Sequence, residues 1–188
     1  MGTPNHGRAG HRAARGRGAA PSADARDAFL FEAPRAPVLL PPWSLRADAF
    51  EGACTQCGEC VDACPTHVLK LAARAVEVDF ADGECTFCGA CVAACPEPAF
   101  DVAAHAASAP PWNVVARVDE TCLARLGVAC QSCGEACEAH AIRFRPRAGS
   151  VPEPRVDATL CTGCGACVRV CPASAIEVRP RSAEGVRA

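Results

Sequence analysis

Apolar residues in this chain recur as sparse pairs separated by one position, not as long stripes. Leu69 and Leu71, Phe100 and Val102, Ile142 and Phe144, and Ile176 and Val178 repeat the i, i+2 spacing, which is the period of a short strand. Each pair falls five and seven residues after a cysteine: Cys64, Cys95, Cys137 and Cys171. Four short strands are therefore expected at equivalent places in a repeated unit, and an internal repeat is settled before any other fold assignment. Ahead of the repeats the pattern is different. PRAPVLLPPWSL (34–45) is apolar but broken by prolines, which exclude a continuous helix. Residues from about 24 to 50 are expected to lie extended against the folded body. Residues 1 to about 23 carry Arg8, Arg12, Arg15 and Arg17 among Gly and Ala, with no acidic residue before Asp24. Such a segment buries too little surface to order itself.

Composition sharpens the question of what holds the repeats together. Leu, Ile, Val and Phe number only 35 of 188 residues, near the level at which packing alone fails to offset chain entropy. The chain compensates with 16 cysteines, and small domains with thin cores commonly use disulfides or inorganic ligands. The N-terminal stretch has positive residues but no apolar segment of signal-peptide type after them. No uncharged apolar run approaches the roughly 18 residues of a membrane span. A cytoplasmic location is expected, where thiols stay reduced and clustered cysteines more often bind metal.

The cysteines stand in register. Cys54, Cys57, Cys60 and Cys64 precede Pro65; Cys85, Cys88, Cys91 and Cys95 precede Pro96; Cys161, Cys164, Cys167 and Cys171 precede Pro172. This C-x2-C-x2-C-x3-C-P run is that of bacterial two-cluster ferredoxins, in which three cysteines ligate one 4Fe-4S cluster and the fourth ligates its neighbour. Gly58, Gly89 and Gly165 suit a chain that wraps a cluster closely, and the proline ends each loop. Zinc is the rival, but a structural zinc site has no need of a third cysteine at the same interval followed by Cys-Pro.

CLARLGVACQSCGEAC (122–137) departs from this pattern. The strand pair Ile142 and Phe144 aligns Cys137 with the fourth ligand of the other runs, and Gly134 is expected to match their glycines. Cys130 and Cys133 then take the second and third places. Cys122 is the first, with seven intervening residues where the others have two, and Glu138 replaces the proline. Crossing of fourth ligands pairs the runs: Cys54, Cys57 and Cys60 with Cys95; Cys85, Cys88 and Cys91 with Cys64; Cys161, Cys164 and Cys167 with Cys137; Cys122, Cys130 and Cys133 with Cys171. Retention of all four cysteines favours four clusters; three is the alternative. Four oxidised clusters would take the formal charge of −2 to roughly −10.

PPWSL (41–45), CTQCGECVDACPTHVLK (54–70), DFADGECTFCGACVAACPEPAF (79–100), CLARLGVACQSCGEACEAHAIRF (122–144) and PRVDATLCTGCGACVRVCPASAI (154–176) together resemble the NapF family of ferredoxin-type proteins. That family is associated with periplasmic nitrate reductase. The resemblance implies an accessory protein that acts in the cytoplasm on the precursor of the reductase catalytic subunit, in maturation by electron or cluster donation before export. Some relatives have paired arginines near the N-terminus; here the comparable place reads ARDAFL, with only Arg26.

The expected fold is α+β: two tandem ferredoxin-like units, 51–105 and 106–180, after a basic then Pro-rich arm over 1–50 and before a tail over 181–188. His67 and His140, three places after the last cysteine of their runs, read as surface turn residues. Trp43 in PPWS and Trp112 in PPWN read as structural anchors shared by the two halves. No serine–histidine–acid set, phosphate-binding glycine loop, paired carboxylates or nucleic-acid recognition motif is present, so the expected protein is neither an enzyme nor a nucleic-acid binder. An electron-wiring subunit of a larger oxidoreductase is the other functional class. The sequence does not specify an oligomeric state.

Overall fold

Pro41 and Pro42 forbid helix on the approach to the first repeat, and helix α1 (Ala47–Ala53) starts only beyond them, inside the stretch expected as an arm. The molecule is described by a computed structural model over residues 38–181. The basic stretch at Arg8–Arg17 and the tail beyond 181 lie outside the described residues. The secondary structure is short and mixed. Helices α2 (Glu59–Asp62), α3 (Ala90–Ala94), α4 (Val102–Ala106), α5 (Ser132–Glu135) and α6 (Ala166–Arg169) alternate with strands β1 (Leu69–Leu71), β2 (Val76–Val78), β3 (Val114–Val118), β4 (Ile142–Arg147), β5 (Ser150–Val156) and β6 (Ile176–Pro180).

The strands form three antiparallel pairs, β1–β2, β4–β5 and β3–β6. In the second half a hairpin (β4–β5) follows one run, and β3, ahead of the runs, pairs with β6 behind them. The first half has the same plan in reduced form. Its hairpin is β1–β2, and the pairing of its two ends shrinks to one bridge, Ser44 to Phe100. Three of the four expected strands therefore form. Phe100 makes only that bridge, and Val102 opens α4 instead, because the Asp101 carboxylate accepts the Ala104 N–H (2.8 Å) and caps a run of alanines.

A buried cluster built on Trp43, Phe50, Val68, Leu69, Val76, Phe80 and Phe100 fills the first half, and Phe50 meets Phe100 edge to face at 5.6 Å. The second-half cluster is smaller: Ala116, Ile142 and Ile176 with Cys133 and Cys167. Trp43 binds the two halves at their junction. Its N–H donates to the Pro111 carbonyl (2.6 Å), its Nε1–H to the Ala109 carbonyl (3.0 Å), and its own carbonyl accepts from the Asp101 N–H (2.8 Å). Those bonds hold it at φ 57°, an unusual conformation for a bulky residue. Trp112 anchors a second contact, donating from Nε1 to the Thr162 carbonyl at 2.8 Å. Both tryptophans are anchors, as their shared PPW context suggested.

Candidate metal centre

In the three regular runs, two left-handed residues flank the second cysteine. Gln56 and Gly58 embrace Cys57, Phe87 and Gly89 embrace Cys88, and Gly163 and Gly165 embrace Cys164, all at positive φ. The second of each pair then N-caps a one-turn helix that carries the third cysteine inward: Cys60 on α2, Cys91 on α3 and Cys167 on α6 are buried. The fourth cysteine leaves that helix on its way to the next strand or turn. His67, His140 and Ser174 occupy the same turn after it, each at positive φ with its N–H on the carbonyl of that cysteine, and both histidines are exposed.

The cysteines do not close on a point. Among the described residues no three His, Cys, Asp or Glu side chains gather where a single metal ion would sit. Instead they line walls. Cys54, Cys57, Cys60 and Cys95 line one pocket; Cys64, Cys85, Cys88 and Cys91 line a second; Cys137, Cys161, Cys164 and Cys167 line a third. Three pockets, each with three cysteines of one run and the fourth of another, fit the thiolate set of a 4Fe-4S cluster. Electrostatics gives the same groupings. Burial pushes the Cys60 thiol up to about 11, with the charge of Cys95 adding most among its neighbours. Burial likewise pushes Cys85 to about 11, and Cys91 and Cys167 to about 12.

The irregular run brings its cysteines into mutual influence by another route. The Cys133 thiol is pushed up to about 11 by burial, then by Cys122, Cys130 and Cys171. Five extra residues thus leave Cys122 within electrostatic reach of its expected partners. They do so because residues 123–127 wind into turns: the Leu126 N–H bonds to the Cys122 carbonyl (3.0 Å), the Val128 N–H to the Leu123 carbonyl (2.8 Å), and Ala124 is fully buried as the pivot. One expectation is corrected. Gly134 is not the counterpart of the other three glycines. Gln131, at φ −132°, N-caps α5 in their place, and Gly134 lies one turn on, inside the helix. Gly134 is required for space: a Cβ there would stand 2.6 Å from the Phe144 ring.

Backbone amides face the sulfurs. The Ala141 and Ala175 N–H groups donate to Cys137 and Cys171 Sγ, both at 3.3 Å, and the Ala116 N–H donates to Cys161 Sγ at 3.5 Å. The pattern held a clue to the first two. The fourth residue after the last cysteine is Val68, Ala99, Ala141 or Ala175, all buried, a small or β-branched position pressed against the loop. Nothing in the runs announced the contact between the halves. The Cys85 N–H donates to the Cys164 carbonyl at 2.8 Å, the Phe80 ring fills the space beside Gly165, and Arg169 reaches Glu84 at 3.3 Å. Runs two and four therefore abut. Cys91 also senses Cys60, Cys85 senses Cys164, and Cys167 senses Cys133, so the four cysteine sets form a succession of neighbours.

Tandem cysteine-lined cavities on short helices and hairpins define an iron-sulfur protein of the ferredoxin class. The family model described as a 4Fe-4S dicluster domain matches residues 53–99 and 128–184. Over 124 residues the chain is 42% identical to the ferredoxin-type protein NapF of Haemophilus influenzae, covering 65% of this chain and 68% of that one. It is 39% identical over 123 residues to NapF of Escherichia coli K12, covering 65% and 73%. The chain belongs to the NapF family of ferredoxin-type proteins. It is also 38% identical over 146 residues to the methylamine utilization ferredoxin-type protein MauM of Methylobacillus flagellatus, covering 70% of this chain and 62% of that one. Among the described residues no helix is long and apolar enough to cross a membrane.

Proposed function

We propose that this chain holds four 4Fe-4S clusters and serves, in the cytoplasm, as an electron-transfer and maturation partner for the precursor of a periplasmic nitrate reductase catalytic subunit. The observation that supports the cluster count is that Cys122, Cys130 and Cys171 all act electrostatically on the buried Cys133 thiol. The ligand sets are Cys54, Cys57, Cys60 and Cys95; Cys85, Cys88, Cys91 and Cys64; Cys161, Cys164, Cys167 and Cys137; and Cys122, Cys130, Cys133 and Cys171. A 4Fe-4S cluster, when bound, supplies a one-electron redox centre whose potential follows burial and hydrogen bonding to sulfur.

The chain's own contribution is placement. Buried third cysteines on one-turn helices keep water from the inner side of each site. Ala116, Ala141 and Ala175 N–H groups stabilise negative charge on sulfur. The junction of runs two and four keeps the inner two sites adjacent. On this reading the protein acts on another protein's redox centre. The nitrate reductase assignment rests on the relation to NapF.

An electron-wiring subunit of a larger oxidoreductase is the second reading, and the similarity to MauM supports keeping it. Affinity capture with the tagged protein separates the two. A maturation partner retrieves the precursor before export, whereas a wiring subunit copurifies with the assembled active enzyme; retrieval of only the latter refutes the first reading. Anaerobic iron and acid-labile sulfide analysis tests the cofactor count, with about sixteen of each per chain expected from four cubanes. Zinc without sulfide would refute it.

A further inference from the structure

The two halves are oppositely charged. Residues 38–105 contain ten acidic side chains against three basic ones, and residues 106–181 contain seven against nine. Four of those nine lie together on one hairpin. Alternation along β4 sends Ile142 and Phe144 inward, to the buried cluster of Cys133 and Cys167, and sends Arg143, Arg145 and Arg147 outward. Arg155 joins them from β5, directly opposite Arg143, while Glu153 stands opposite Arg145.

Like charges directly opposed on a ladder destabilise it, and this hairpin keeps such a pair. Glu153 offsets it only in part: its side chain, 19% exposed, is shared between Arg147 and Arg155, which are 55% and 61% exposed. Among the described residues Arg143 and Arg145 make no ion pair within 4.0 Å. Pro146, Pro152 and Pro154 remove N–H donors from both strands, which disfavours recognition by strand addition and leaves the side chains to do it.

We propose that the outer face of the β4–β5 hairpin is a docking surface for an acidic segment of a partner protein. A ligand on this face lies across the hairpin from Ile142 and Phe144, which pack on the cluster of Cys133 and Cys167. The acidic first half repels the same partner and so fixes its orientation. Arginine's planar fork suits carboxylates, which it binds bidentately. The surface is independent of which reductase the protein serves.

The test uses anaerobic holoprotein and a fluorescein-labelled peptide of alternating Glu and Ser, read by anisotropy at increasing salt. Binding is expected to weaken with salt and to fall about tenfold in R143Q/R145Q. R143K/R145K, which keeps the charge, should retain most of it. Glu153→Gln should tighten binding a few-fold, so a glutamine variant that fails to fold does not remove the test. Binding by R143Q/R145Q within twofold of wild type, or no tightening in Glu153→Gln, overturns the proposal. So does tighter, arginine-dependent binding of an oligodeoxythymidine of equal charge or of phosphatidylglycerol vesicles, which would reassign the face to nucleic acid or membrane.

Discussion

Gly58 and Gly165 N-cap equivalent helices with almost the same backbone, φ 87° and φ 84°, yet alanine at the two positions should behave differently. A left-handed conformation costs an L-residue about 1–2 kcal/mol, and this applies to both. At Gly58 a Cβ meets nothing within 4 Å, so that strain is the whole effect. At Gly165 the Cβ would stand 2.1 to 2.5 Å from three atoms of the Phe80 ring. The ring has little room to retreat, since it is buried and set edge-on to Trp112 at 6.3 Å. Overpacking of this kind adds about 1–3 kcal/mol. Gly165→Ala should therefore cost about 2–5 kcal/mol against about 1–2 for Gly58→Ala. The assay is the rate at which visible cluster absorption is lost in urea, because unfolding of such a protein is irreversible and its stability is kinetic. Where the contact is broken in the transition state, the extra term speeds loss by about five- to a hundredfold. Phe80→Ala should cost less in the Gly165→Ala background than in wild type, because it relieves the clash. Equal rates for the two alanine variants, or strict additivity with Phe80→Ala, would refute the reasoning and the seam between the halves with it.

Further outcomes follow from the same coordinates. Cys122→Ser and Cys171→Ser should each lower iron and sulfide from about sixteen to about twelve per chain and remove the same electron paramagnetic resonance signal, whereas Cys137→Ser removes a different one. Arg181→Gln should destabilise the protein by about 2–4 kcal/mol in urea-induced cluster loss, since its guanidinium donates to the carbonyls of Val114 (3.0 Å), Ala158 (2.5 Å) and Cys161 (2.7 Å). Gly134→Ala should cost about 1–3 kcal/mol by crowding Phe144, and a second change, Phe144→Leu, should recover part of it; no recovery would show that the glycine is needed for something other than space.

The parts of this fold that were legible in the sequence are those fixed by local chemistry. The repeat of the cysteine runs and the strand pairs behind Cys64, Cys137 and Cys171 depend on residues close in the chain. The misreadings arose where a cap or a packing contact outweighed spacing and residue type. Val102 reads as strand by its spacing from Phe100, but one carboxylate at Asp101 captures the next turn for helix. Gly134 reads as the loop glycine by type, but Phe144 explains it. The left-handed residue ahead of the second cysteine escapes any composition rule, because Gln56, Phe87 and Gly163 share the conformation without sharing a side chain. The irregular run lacks that left-handed pair around Cys130, so the insertion after Cys122 replaces the regular wrap with a different path to the same convergence.

The contact between halves was the least legible feature, and it gives the arrangement its order. A two-cluster ferredoxin unit accounts for two neighbouring sites. Two such units on a loose linker would leave the inner sites at no fixed separation. Here the Cys85 N–H meets the Cys164 carbonyl, Phe80 packs on Gly165 and Trp112 is tied to Thr162, so the second halves of both repeats face one another across a packed seam. The two halves joined by this seam differ in surface character, one acidic and one carrying the arginine face of the β4–β5 hairpin. A protein with one core and one pair of sites needs a single partner surface. One whose halves abut in a packed seam and differ in net charge presents two chemically different surfaces.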